Sequence, residues 1–329
     1  MSVKALETEE KENISEKVLI IKSNRSLLIS KKRICELFRI DNMFENMPKR
    51  YMILKDILIY GGVKLNENYY NHKLKNVKEE IIIIFDAHVR IQFLTWIVKN
   101  NPGKRIILWL WNTMEEIGSH IPLKKVPTEI EIWSYSPYDC KKYNLKHNTT
   151  FYPYKLANNS VTLTYDVCFI GKDKGRLNEI IEIKNKLQEN GLTTYFHISP
   201  THFYELRRNS VYKKAIPYSE VDKIISESNC ILDCEVTKNA GITIRPLEAL
   251  YKRKKLITNN KNILYEDFYS SNNIFIWGHD DISALKYFVR SPYVELPEEI
   301  YKKYTMEAWV TRFLNGVSDE HIVCGNSDI

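Results

Sequence analysis

Short runs of apolar, largely β-branched residues alternate along this chain with longer stretches whose apolar positions recur at helical spacing. The short runs predict strands at Lys17–Lys22, Met52–Tyr60, Glu80–Phe85, Arg105–Trp111 and Glu129–Tyr135. A second series follows at Tyr165–Ile170, Thr193–Ile198, Cys230–Asp233, Lys255–Thr258 and Ile274–Trp277. The intervening stretches predict helices at Val89–Asn100, Arg176–Asn190, Ser219–Ser228, Pro246–Lys252 and Ile282–Val289. Strands alternating with helices of this length indicate βαβ units and parallel sheets. The alternation pauses at Asn148–Thr164, a stretch without clear period that contains Pro153. A junction there divides the chain into residues 1–155 and 156–329, each with about five strands, enough for one doubly wound sheet. The expected architecture is α/β, with two Rossmann-like doubly wound parallel-sheet domains facing a cleft. Helical residues Pro297–Leu314 and a polar tail close the second domain.

Composition narrows the class without changing the fold. The 329 residues are 44% apolar and 27% charged, ordinary for a globular chain of this size. Six scattered cysteines lack the paired spacing of a zinc site, so free thiols are expected. The opening MSVKALETEEKENISEK mixes charges of both signs and has no apolar core, unlike a secretory signal. The longest apolar runs, Ile81–Phe85 and Ile106–Trp111, fall far short of the roughly 20 residues of a membrane span. A cytoplasmic protein is expected. The 48 Lys+Arg against 41 Asp+Glu leave +7, without the charge stripe or module of a nucleic-acid binder. Such a surface suits anionic small ligands, or peripheral contact with an anionic membrane through clusters such as Lys252–Lys255.

Doubly wound sheets hold ligands beyond the carboxyl ends of their strands, so the chemistry is sought there. The first strand of the second half runs into Gly171, Lys172, Asp173, Lys174, Gly175 and Arg176. Glycines that turn the backbone tightly, flanked by Lys172, Lys174 and Arg176 at a helix start, suit a phosphate; the spacing is not that of a Walker A loop. The competing reading is a βα turn with solvated lysines. Beyond Asp233 lies a polar loop with Asn239, Gly241 and Thr243, then Pro246 in the first turn of a helix. Arg245 and Glu248 share a face there, placed for a phosphate and for two ribose hydroxyls, or simply for capping that helix. In the first half, Asp86 and His88 follow a strand, and either could deprotonate an acceptor hydroxyl. Asp86 could equally cap the next helix, and His88 could be a satisfied histidine. Trp109, Trp111 and Asn112 suit sugar stacking or a core, and Ser136–Asp139 reads as a capped helix start.

Several of these segments also carry a resemblance. NAGITIRPLEAL (239–250), KKLITNN (254–260), FIGKDKGR (169–176), IILWLWN (106–112) and IWSYSPYD (132–139) resemble bacterial surface-polysaccharide glycosyltransferases of capsule and lipopolysaccharide type with the GT-B fold. The resemblance covers most of the chain beyond residue 80. It implies a nucleotide-sugar donor bound by the second domain and a glycan or lipid-linked glycan acceptor bound by the first. It also implies that Glu248 holds the donor ribose, that Lys174, Arg176 and Arg245 contact the diphosphate, and that no cofactor or metal is needed. Retaining members commonly have a second glutamate where this chain has Ala240, so the stereochemistry stays open. A pyruvyl transferase on the same fold, or a non-catalytic binder of nucleotide sugar or nucleic acid, are the alternatives.

Overall fold

The computed structural model describes residue 14 and residues 16–23, 37–118, 120–153, 162–207, 209–236 and 241–315. They form two units, one taking the chain up to Thr149 and again from Val310, the other Thr150–Trp309. In the first unit the strands are β1 (Val18–Lys22), β2 (Arg39–Asn42), β3 (Ile81–Phe85), β4 (Arg105–Leu110), β5 (Ile130–Ser134) and β6 (Lys146–His147). They lie in the order β2-β1-β3-β4-β5-β6, every neighbouring pair parallel. β1 (VLIIK) and β3 (IIIIF) are buried at every position, as strands covered on both faces must be. Helices α1 (Lys49–Tyr60), α2 (Ile91–Asn100), α3 (Met114–Ile117) and α4 (Pro137–Tyr143) complete the unit. α2 turns Phe93, Leu94, Trp96 and Ile97 into the core that holds Ile82, Ile84 and Leu108 of the sheet.

Residues Met52–Tyr60, expected to be a strand, are the body of α1. Lys55 and Asp56 interrupt any alternation, Pro48 precedes the first turn and Gly61-Gly62 follow the last. An apolar run alone does not separate a strand from a helix, and here the helix-start and helix-stop residues decide. The half-buried polar strand β2 and the two-residue β6 carry no apolar signal and were not expected.

The second unit has β7 (Tyr165–Lys172), β8 (Thr194–Ser199), β9 (Ser228–Asp233), β10 (Lys255–Thr258) and β11 (Ile274–Ile276), in the parallel order β11-β10-β9-β7-β8. Its helices are α5 (Leu177–Glu189), α6 (Tyr218–Ser226), α7 (Ile244–Tyr251), α8 (Leu285–Arg290) and α9 (Glu298–Lys303). The expected single stretch Pro297–Leu314 is two helices, α9 and α10 (Met306–Asn315). Within α10, Trp309 packs on Phe151 of the second unit, whereas Phe313 lies edge-on to Trp109 and Trp133 of the first.

Both units are therefore doubly wound. In each sheet the first strand sits between the second and the third, so the chain leaves it in opposite directions. The crevices this opens lie at the carboxyl ends of β1/β3 and of β7/β9, the topological switch points where such sheets bind ligands.

Candidate functional site

At the β7/β9 switch point, Gly171 and Lys172 still belong to β7, paired with Ile198 and Ser199 of β8. Of the two glycines expected to turn the backbone, Gly175 (φ 82°) does so, with Lys174 (φ 46°) as the preceding left-handed residue, whereas Gly171 stays in the strand. Asp173 organises it. Its carboxylate accepts from the Gly175 N–H (3.2 Å), the Thr201 N–H and hydroxyl (both 2.8 Å) and the Tyr212 hydroxyl (3.1 Å). Burial alone would raise its pKa, but these donors outweigh it and hold the group below the ordinary value. Arg176 folds its guanidinium back, donating to the carbonyls of Asp173 (3.0 Å) and Lys172 (3.2 Å).

Arg245 brings the two sequence motifs of this unit together. From the first turn of α7 it donates to the carbonyl of Ile170 in β7 (3.1 Å) and to Glu248 Oε2. The other oxygen of Glu248 accepts from the Tyr218 hydroxyl at the start of α6 (2.7 Å). Glu248 is only 3% exposed. It is thus tied to an arginine and a tyrosine, and the bonds found are not those of a helix cap. Burial, and then the Glu248 charge, push the Tyr218 phenol far above its ordinary range. Gly241 is buried and Thr243 occupies the N-cap position of α7. Asn239 and Ala240 lie outside the described residues.

A carboxyl pair at the end of β9 was not singled out from the sequence. Burial, followed by the charge of Asp233, raises Glu235 to about 8, against the Thr243 hydroxyl and the cations Arg176 and Lys174. Asp233 is raised as well, chiefly by burial and against Arg245 and Arg176. The buried Oε1 of Glu235 has no hydrogen-bond partner among the described residues. The cue available in the sequence was an alternating Asp-Cys-Glu leaving a buried strand.

In the first unit Asp86 and His88 lie at the β1/β3 switch point. His88 (φ 63°) crosses it, with Nδ1 2.9 Å from Ser23 Oγ just beyond β1. Asp86 does not cap α2, whose N-cap position is held by Arg90. Its Oδ2 accepts from the N–H (3.0 Å) and the side-chain amide (3.1 Å) of Asn112, while its buried Oδ1 has no partner among the described residues. Burial raises this carboxyl to about 6, with the Asn112 donors and the Trp111 N–H opposing and Glu116 adding to the rise.

Other candidates resolve into structure. Trp109 is fully buried in the core, and Ser136 caps α4 through the Asp139 N–H (3.2 Å) with Pro137 in the first turn. The basic run expected to meet anionic lipid is engaged within the second unit. Lys252 pairs with Asp222, Arg253 with Glu295, Lys254 bonds the Ser226 carbonyl, and the buried Lys255 bonds that of Phe288. Among the described residues no helix is long and apolar enough to cross a membrane, and no three His, Cys, Asp or Glu side chains gather as a metal cage.

No protein-family model and no curated protein sequence matches the chain. Among solved structures, it is similar to a lipopolysaccharide outer core galactosyltransferase, WaaB, in its apo form, at 12% identity and a TM-score of 0.51, over 91% of this chain and 98% of that one. It also aligns with a protein described as a UDP-N-acetylglucosamine 2-epimerase of Listeria monocytogenes (9% identity, TM-score 0.44, 91% of this chain and 95% of that one). An alpha1,3-fucosyltransferase with GDP follows (9% identity, TM-score 0.41, 90% and 88%). The last two superpose too loosely to bear on the fold. Two all-parallel, doubly wound sheets and the end-to-end match to WaaB establish that this chain has the GT-B type of fold.

Proposed function

We propose that this protein is a glycosyltransferase that moves a sugar from a nucleotide-activated donor to a hydroxyl of a glycan or lipid-linked glycan in surface-polysaccharide synthesis. One observation carries the reading: each sheet has buried carboxyl groups at its topological switch point, and Asp86 among them has an oxygen with no hydrogen-bond partner among the described residues. The second unit takes the donor. Lys174, Arg176 and Arg245 balance the diphosphate as it leaves, without a resident metal, and Glu248, oriented by Tyr218 and Arg245, faces the ribose hydroxyls. The first unit takes the acceptor, and Asp86 removes the hydroxyl proton with a pKa close to working pH. Attack by that oxygen in a single displacement leaves the anomeric carbon inverted.

The test begins with thermal shift against nucleoside diphosphates and nucleotide sugars, since a ligand of the folded state raises the melting temperature. With the cognate donor, release of nucleoside diphosphate reports transfer, which a chelator leaves unchanged. Asp86→Asn keeps donor affinity and loses about 10²- to 10⁴-fold in transfer rate. A protein stabilised by none of these ligands, or an Asp86→Asn variant that transfers normally, is incompatible with the proposal. So is a product of retained configuration.

A further inference from the structure

We infer that Asn112 is the positioning residue of the acceptor base, clamping one oxygen of Asp86 so that Oδ1 is left to take the proton. This rests on the reading of Asp86 as that base.

The clamp follows from strand register. β3 and β4 run parallel with Phe85 opposite Trp109, and the Asp86 N–H donates to the Trp109 carbonyl (3.1 Å). The residue leaving β3 is thereby held beside the residues leaving β4. Asn112 then closes on the same carboxylate twice, with its backbone N–H and its side-chain amide, both on Oδ2. Two donors occupy the two lone pairs of Oδ2. Oδ1 receives no hydrogen bond from any described residue, although Asp86 is 3% exposed. A carboxylate kept for structure normally has both oxygens satisfied, because an orphaned buried acceptor is destabilising. An acceptor hydroxyl arriving at Oδ1 supplies the missing donor. In the step itself the proton passes to Oδ1 while the hydroxyl oxygen bonds the anomeric carbon. The bond from that carbon to the diphosphate breaks, and its electron pair leaves with the phosphate.

Burial has the largest influence on this carboxylate, and the clamp is the strongest influence that opposes it. Glu116 on α3 is an acidic neighbour and opposes ionisation; the Trp111 N–H, which makes no hydrogen bond to Oδ1, assists it. His88, in the same loop, is engaged with Ser23. Lys22 at the end of β1 bonds Asn42, and Asp139 at the start of α4 bonds the Met114 N–H. Removing the amide of Asn112 takes away a hydrogen bond that is charge-assisted, and so stronger, in the ionised form than in the neutral acid, and the carboxyl becomes harder to ionise.

The experiment records kcat/KM against pH for the wild type, Asn112→Ala and Asn112→Ser, together with infrared difference titration of the Asp86 carboxyl in each. In Asn112→Ala the acidic limb and the infrared titration both move upward by roughly one to two pH units, with the rate recovering at high pH. Asn112→Ser, which restores a short donor, recovers part of the shift. Circular dichroism checks that each variant is folded, and the infrared titration needs no turnover. A limb and titration that stay in place, or a loss by the same factor at every pH, overturns the inference. Full transfer by Asp86→Asn would overturn the base reading and this inference with it. An inactive Asp86→Asn beside an unmoved Asn112→Ala profile overturns the role of Asn112 alone.

Discussion

Two carboxyl groups, Asp86 and Glu235, are held by the fold in states that water would not favour, and both leave a signature in stability. Asp86 rises from an ordinary 3.8 to about 6 on folding, so the folded chain binds its proton more tightly than the unfolded chain does. The stability this gives is full below about pH 4 and is lost as pH rises through 6. Asp86→Asn removes the penalty of a buried charge while leaving an oxygen for the Asn112 donors. At pH 8 the variant is expected to be more stable than the wild type by on the order of 2 kcal/mol, read by denaturant unfolding, even as transfer is lost. Equal stability at pH 8 would mean the site accommodates the charge. Glu235, raised to about 8 from 4.5 beside Asp233, extends the same sign to higher pH. Unfolding midpoints should fall between pH 5 and pH 9, and Glu235→Gln should flatten that fall. Asp86 was legible in the sequence because it ends an apolar strand. Its partner Asn112 was seen only as an amide beside tryptophans, since strand register, not spacing, brings the two together.

At the scale of elements, α7 is tied to the sheet by Arg245 and to α6 by Glu248. Its Pro, Arg and Glu announce a helix start, but Tyr218 lies 30 residues upstream and no local pattern connects them. The tie makes Glu248→Gln a structural as well as a binding change. A carboxylate receiving a guanidinium and a phenol becomes an amide, at a cost of about 1.5–3 kcal/mol to the second unit, whereas a simple helix-start residue would lose a few tenths. Tyr218→Phe removes only the hydroxyl and should cost about 1 kcal/mol while reducing donor affinity, because it leaves Glu248 less firmly oriented. Chemical unfolding and calorimetry with the cognate donor separate the two effects; unaltered donor affinity in both variants would detach Glu248 from the ribose. Elsewhere, α1 shows the limit of pattern reading: its apolar residues include the exposed Ile53, Leu54 and Ile57, so neither alternation nor a single buried stripe marks it.

At the scale of the molecule, the chain crosses from one unit to the other near Thr150 and returns at Val310, inside α10. Phe313 on the returning half is fully buried against Trp109 and Trp133, and its carbonyl accepts from Arg105 (2.6 Å). Phe313→Ala should therefore cost about 3–5 kcal/mol in the transition that unfolds the first unit and leave the other in place. Calorimetry, with tryptophan fluorescence to assign the transitions, checks this; equal losses in both would contradict the partition. That return was not visible in advance, because α10 reads as one continuous amphipathic helix and nothing local says which core each turn enters. The sequence by itself determined the alternation of strand and helix, the parallel sheets, the strand ends beyond which Asp86, Lys174 and Arg176 lie, and the helix start that carries Arg245 and Glu248. Those features follow from side-chain periodicity and from cap and turn residues, which act over a few positions. Tertiary structure alone decided the strand order, and with it the switch points, the Asn112 clamp, the Tyr218 bond to Glu248 and the Asp233–Glu235 pair. Each of these is a contact between residues far apart in the chain or a consequence of burial, and burial exists only once the sheets have been covered.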